Sequence, residues 1–127
     1  MKRKSIKWIC AGLAIIVVAI LVINHWYKVK VGEFSLRDYQ TYIEQFPSDI
    51  IVGAVETENE AITIAEDIWT DVYGKNVQFK KPYKVFYDAD SEVWLVQGSL
   101  PFYQNGGVPY ILIEKESGRV LAVWHDK

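Results

Sequence analysis

TENEAITIAEDIWTDVYG, residues 57–74, carries apolar side chains at Ala61, Ile62, Ile64, Ala65, Ile68, Trp69, Val72 and Tyr73. They recur at intervals of three and four, the spacing of one face of an α-helix. Thr57 and Glu60 form a T-x-x-E capping box, in which side chains answer the open amides of the first turn. Gly74 suits the position just past a helix C-terminus. The spacing predicts a helix over 58–73 with a broad apolar face that needs a partner layer.

Downstream the period changes to two. Tyr83–Tyr87, Val93–Leu100, Val108–Lys115 and Arg119–His125 are rich in Val, Ile, Tyr, Trp and Phe, the residues that favour strands. The turn sequences DADS, PFYQNGG and ESG separate them. Short links between consecutive strands imply an antiparallel meander of four strands. A long helix followed by such a meander predicts a two-layer α+β domain. Upstream, Ser35 is placed to cap a helix over Leu36–Phe46, which Pro47 stops. KVKVGEF, residues 28–34, reads as an extended linker, and IIVGAV, residues 50–55, as a short apolar piece.

At the N-terminus, residues 8–23 are an unbroken apolar run, WICAGLAIIVVAILVI. With Asn24, His25, Trp26 and Tyr27 it approaches the roughly 20 residues of a membrane span. Trp8 at one end and Trp26–Tyr27 at the other sit where an interfacial belt would lie. The following VINHWYKVKVGE lacks the small residues of a signal-peptidase site, and Cys10 lacks a lipobox. The reading is an uncleaved single-span anchor, with the membrane contacted by residues 8–27 and residues 1–30 forming the anchor with its basic flanks. Lys2, Arg3, Lys4 and Lys7 precede the run and only Lys28 and Lys30 follow it. The positive-inside rule then predicts a cytoplasmic N-terminus and an extracytoplasmic domain over 31–127.

Charge is divided in the same way. Residues 31–127 hold all 16 acids and eight of the 14 bases, a net of about −8. Such a domain repels phosphate, so no nucleic-acid partner is expected. One cysteine excludes an intrachain disulfide framework, and two histidines leave little for a metal site. Ser99 in QGSLP lacks the second glycine of a nucleophile elbow. Asp88, Asp90 and Glu92 alternate as calcium-loop ligands do, but without the loop glycine or the distal Glu, and read as a charged hairpin turn. Gly106–Gly107 has no following Lys or Thr, so it is not a phosphate loop. Two features suit a binding surface. The loop Phe102, Tyr103, Gln104, Asn105, Gly106 and Gly107 offers aromatics and amides between strands. Glu66, Asp67 and Asp71 lie on the polar face of the main helix, where they would attract a basic partner.

An ordered series of short pieces then stands out. It runs Ala61-Ile62-x-Ile64-Ala65-Glu66, Tyr73-Gly74, Lys81-Pro82-Tyr83, Trp94-x-Val96-x-Gly98 and Leu100-Pro101. It continues with Gly106-Gly107-Val108, Ile111-x-Ile113-x-Lys115 and Gly118-x-Val120-Leu121. The series resembles the NTF2-fold immunity proteins of bacterial polymorphic-toxin and Rhs-type systems, over about half the chain. The resemblance implies an NTF2-like or cystatin-like α+β domain whose partner is a cognate protein toxin. It implies no catalytic residues and no cofactor. The leading expectation is an immunity protein that neutralises its toxin by occlusion and is not an enzyme. The alternatives are an extracytoplasmic sensor or inhibitor module that binds peptide or ligand, and an enzyme with His125 or Asp88 beside a second titratable group in a pocket.

Overall fold

The computed structural model describes residues 10–21, 31–100 and 107–126. A first helix, α1, covers residues 10–21. After it come β1 (Val31–Glu33), a 3-10 turn (Leu36–Tyr39), α2 (Gln40–Gln45) and α3 (Glu58–Tyr73). A second 3-10 stretch (Lys75–Lys80) leads to β2 (Lys84–Asp88), β3 (Val93–Gln97), β4 (Pro109–Glu114) and β5 (Val120–His125).

The sheet and the membrane anchor both differ from expectation. The sheet is mixed and has five strands, in the order β1-β2-β3-β4-β5, and is not a four-stranded antiparallel meander. The added strand is β1, which pairs parallel to β2 with Val31 opposite Val85 and Glu33 opposite Tyr87. It comes from the stretch read as a linker. The second correction is the membrane anchor. Among the described residues no helix is long and apolar enough to cross a membrane. Of the expected span, the described helix takes in residues 10–21, fewer than the roughly 20 that a crossing needs. The rest of the expected span, residues 8–9 and 22–27, lies outside the described residues. The single-pass topology built on that span, with residues 31–127 outside the cell, falls with it.

The helix α3 forms as its sequence dictates. Thr57 is the N-cap, and its side chain accepts from the Glu60 amide at 3.2 Å. The Glu60 carboxylate reaches back one residue further than a capping box requires, to the Glu56 amide at 2.8 Å. Gly74 ends the helix at φ 91°, a left-handed conformation open to glycine. Ala61, Ala65, Ile68 and Trp69 are buried against the sheet.

The sheet is covered on both faces, which makes three layers where two were expected. Trp94 and Val96 of β3 join Ile111, Ile113 and Val120 in the core under α3. Val93 and Leu95 point the other way and meet Leu112, Ala122 and Trp124, over which Leu36, Tyr39 and Ile43 pack. Successive strand residues face opposite sides, so a strand buried on both faces loses its apolar–polar alternation. VWLVQ shows this pattern. On the second face, Tyr42 stacks on Trp124 with ring centres 4.7 Å apart, and Tyr110 stacks on it at 5.2 Å.

The helix over 36–46 is split into the 3-10 turn and α2, and Ser35 makes no side-chain cap. The Leu36 amide is answered from a distance, by the Asp88 carboxylate at 2.8 Å. The other oxygen of Asp88 accepts from the Asp90 amide at 3.0 Å and the Ser91 amide at 3.4 Å. These bonds, led by that from Leu36, hold the Asp88 carboxyl below the usual carboxylate range. A lowered folded pKa stabilises the protein above the unfolded value and ceases to do so as pH falls through the folded one. The Leu36 amide resonance, followed by NMR down the acid range, is therefore expected to move with a midpoint below about 3.9. The step should vanish in Asp88→Asn; a midpoint at or above the ordinary value would contradict this clamp.

The edge of β5 is not left open. Val123 donates to the Phe46 carbonyl at 3.3 Å and Val120 to the Ile50 carbonyl at 2.8 Å, while Val52 donates to the Gly118 carbonyl at 2.9 Å. The segment from Phe46 to Val55 thus lies along β5 and blocks it from pairing with another chain.

Candidate functional site

Where α3 ends, the chain turns back through Lys75–Lys80 and leaves a hollow between this turn and the ends of β4 and β5. The cavity holds about 230 Å³. Tyr73, Asn76, Val77 and Lys80 line one side, and Gly107, Pro109 and His125 the other. Its floor is apolar, and its rim carries an ammonium, an amide and an imidazole.

The two stems of the β3–β4 loop are fixed to this rim. On the first, the Gly98 amide donates to the Pro109 carbonyl at 2.9 Å and the Ser99 amide to the Lys80 carbonyl at 2.6 Å. The Ser99 hydroxyl donates to the Pro82 carbonyl at 2.6 Å. A Cβ on Gly98 would stand 2.8 Å from Pro109 Cδ and 3.0 Å from Lys80 Cβ, so the glycine permits the close approach. On the second stem, a Cβ on Gly107 would run into the Asp126 carbonyl. Asp126 clasps this stem to the end of β5. Its carboxylate accepts from the Val108 amide at 2.7 Å and from the Tyr110 hydroxyl at 3.1 Å. Its own amide donates to the Val108 carbonyl at 3.2 Å. Burial, and then Asp126, push the Tyr110 hydroxyl up to about 12, so it stays a donor near neutral pH.

His125 is exposed, and its Nδ1 lies 3.1 Å from the Asp126 carbonyl. A carbonyl only accepts, so this contact requires the proton on Nδ1. The ring meets Tyr73 edge-on, with centres 5.0 Å apart. Asp88, the other residue named for the enzyme alternative, has its carboxylate engaged by backbone amides at the opposite end of the sheet. Among the described residues no polar or charged side chain belongs to the buried core, and no group of three or more could hold a metal ion. The geometry suits the capture of a side chain from another molecule.

Of the residues singled out in the sequence, Gly107 lies on the cavity wall. Phe102, Tyr103, Gln104, Asn105 and Gly106 lie outside the described residues. Asp67 and Asp71 are exposed on α3, four residues and hence about one turn apart, and Asp71 approaches the Tyr73 end. Glu66 is set apart from them by a 3.5 Å ion pair with Lys81. Burial, followed by the Glu66 carboxylate, raises the Tyr83 hydroxyl well above its ordinary range. Sequence reasoning missed Asn76, Lys80 and Asp126, and treated Tyr73 as core. The glycines that flank the loop, Gly98 and Gly107, were the available signal.

The sequence model of a family described as NTF2 fold immunity protein matches residues 60–127, which take in α3 from Glu60 onward and β2 to β5. The chain belongs to the NTF2-fold immunity protein family. A relative from Escherichia coli (strain K12), the uncharacterized protein YbbC, is 36% identical over 93 residues, covering 70% of this chain and 75% of that protein. No solved structure matches significantly. The match to the immunity family includes every residue that lines the cavity and both stems of the loop.

Proposed function

We propose that residues 31–127 act as an immunity domain that neutralises a cognate bacterial toxin by stoichiometric occlusion. The family match over residues 60–127 carries this reading, and proteins of the family are generally non-enzymatic. The rim geometry supports a contact surface at the loop end. Both stems of the segment between Leu100 and Gly107 are held to this rim by hydrogen bonds. Asp67 and Asp71 flank the same end of α3 and form part of the surface.

The test is co-expression with a toxin domain encoded in the adjacent reading frame, followed by titration of the purified pair. The expected result is rescue of growth, and toxin inhibition that is complete at equal molar amounts. Neutralisation at far less than one equivalent would indicate turnover and sink the occlusion mechanism. Absence of both complex and rescue would sink the immunity reading itself.

A further inference from the structure

Charge is sorted along the length of this domain. β2 begins at Lys84 and ends at Asp88, and α3 runs in the opposite sense from Glu58, beside Asp88, to Tyr73 at the cavity. At the end away from the cavity the hairpin tips and the start of α3 gather Glu56, Glu58, Asp88, Asp90, Glu92 and Glu114. At the cavity end, residues 75–84 hold Lys75, Lys80, Lys81 and Lys84, half of the bases in residues 31–127, and no acid. The acids nearby are already engaged: Glu66 with Lys81, and Asp126 with the Val108 amide and the Tyr110 hydroxyl. Lys75, Lys80 and Lys84 remain, against Asp71. The same end exposes apolar side chains, with Val72 at 55%, Phe79 at 59% and Leu100 at 43% of their full area. The end carrying the loop is therefore basic and apolar, although the domain as a whole is strongly acidic.

We propose that this end docks an acidic protein surface, in which an Asp or Glu of the partner enters the cavity beside Lys80 and Asn76 while apolar neighbours cover Phe79, Val72 and Leu100. The partner class rests on the immunity reading, which makes that acidic surface the toxin's. Charge complementarity selects it. The cavity, at about 230 Å³, falls below the roughly 300–1,000 Å³ of small-molecule sites and suits a single side chain. A phosphate polymer is disfavoured, because beyond the few lysines it would meet a body of net charge about −8. Exposed apolar residues among the lysines favour a folded protein surface, whose interface core is apolar and rim polar.

Two arms test this. In the first, the full-length chain is titrated by NMR with a capped peptide alternating Glu and Tyr, with its Gln–Tyr counterpart and with inorganic polyphosphate. The Glu–Tyr peptide is expected to shift amides in residues 72–84 and 107–109. Lys75→Glu/Lys80→Glu should weaken it about tenfold, Glu58→Gln/Asp90→Asn should leave it unchanged, and the Gln–Tyr peptide should fail to bind. Failure of the Glu–Tyr peptide, shifts confined to other residues, or tighter binding of polyphosphate at the same amides would overturn the proposal. In the second arm the adjacent toxin domain replaces the peptide. A complex that forms but is indifferent to the double lysine reversal overturns the acidic-surface proposal and leaves the immunity reading standing. Absence of any toxin complex, with the peptide still bound at the lysine end, removes the immunity reading and retains the acidic-ligand surface.

Discussion

Trp69→Ala is expected to cost about 3–5 kcal/mol of stability. The indole is fully buried in the layer between α3 and the sheet. It packs edge-on against Tyr83 with ring centres 5.3 Å apart, and its N–H donates to the Tyr110 carbonyl at 3.3 Å. Truncation removes one of the two tryptophans of this layer and leaves a void that α3 can fill only by shifting against three strands. Domains of this size are stable by about 5–15 kcal/mol, so a large fraction of the protein should unfold near physiological temperature. At roughly 4–8 °C per kcal/mol, the melting midpoint should fall by at least about 12 °C. Trp69→Phe keeps an aromatic in place and removes the N–H donor, so its cost should be smaller, with about 1 kcal/mol from the hydrogen bond. Thermal and urea denaturation of the two variants would check this. A shift of only a few degrees for the alanine variant would mean that α3 is not docked through Trp69.

The second large effect is expected at Gly118. This residue sits at φ 69°, in the tight turn between β4 and β5, and a Cβ there would meet the Gly53 carbonyl directly. The left-handed conformation alone costs a residue with a side chain about 1–2 kcal/mol. The collision adds to that, because it pushes the cover segment off the β5 edge. The bonds at risk are Val52 to Gly118 and Val120 to Ile50, each worth about 1 kcal/mol. Gly118→Ala should therefore cost about 2–4 kcal/mol and expose an edge strand to other chains. Gly53→Ala separates the two causes. Gly53 is also left-handed, at φ 85°, but a Cβ there has nothing within 4 Å. It should show only the conformational part, without faster amide exchange at Val120. Equal destabilisation by the two alanines, or no rise in light scattering for Gly118→Ala, would show that the edge cover does not depend on this contact.

The helix over 58–73 was legible because every local rule agreed there: the period, the capping box and the terminal glycine. The cores of β2 to β5 were legible because period two and turn residues are local signals as well. β1 was not, since three residues carry too little pattern and its partner, Val85, lies 54 positions beyond Val31. The double-sided burial of the sheet had a trace in the sequence. Val93–Val96 is continuously apolar, which a strand with one wet face would not be. The apolar run at the N-terminus pointed to a membrane through its length, its aromatic ends and its flanking charges, yet among the described residues no helix is long and apolar enough to cross one. At the cavity end, Gly107 was singled out only as part of the loop, and that a Cβ there would meet the Asp126 carbonyl is visible only in the fold. The cavity was not legible, because its walls come from the end of α3, the following turn and the ends of β4 and β5. Lys80, Asn76 and Asp126 meet only once these segments fold together. Net charge misled in a similar way, since an average over the domain hides a basic end.

The most direct measurement is amide hydrogen exchange on the equimolar complex with the adjacent-frame toxin domain, compared with the free protein. Slowed exchange at the end of α3, through the following turn and at the two loop stems, residues 72–84, 98–100 and 107–109, with the hairpin tips at Asp88–Glu92 and Glu114–Gly118 unchanged, is the expected result. Protection confined to those acidic tips, with the cavity end exchanging as in the free protein, would contradict it.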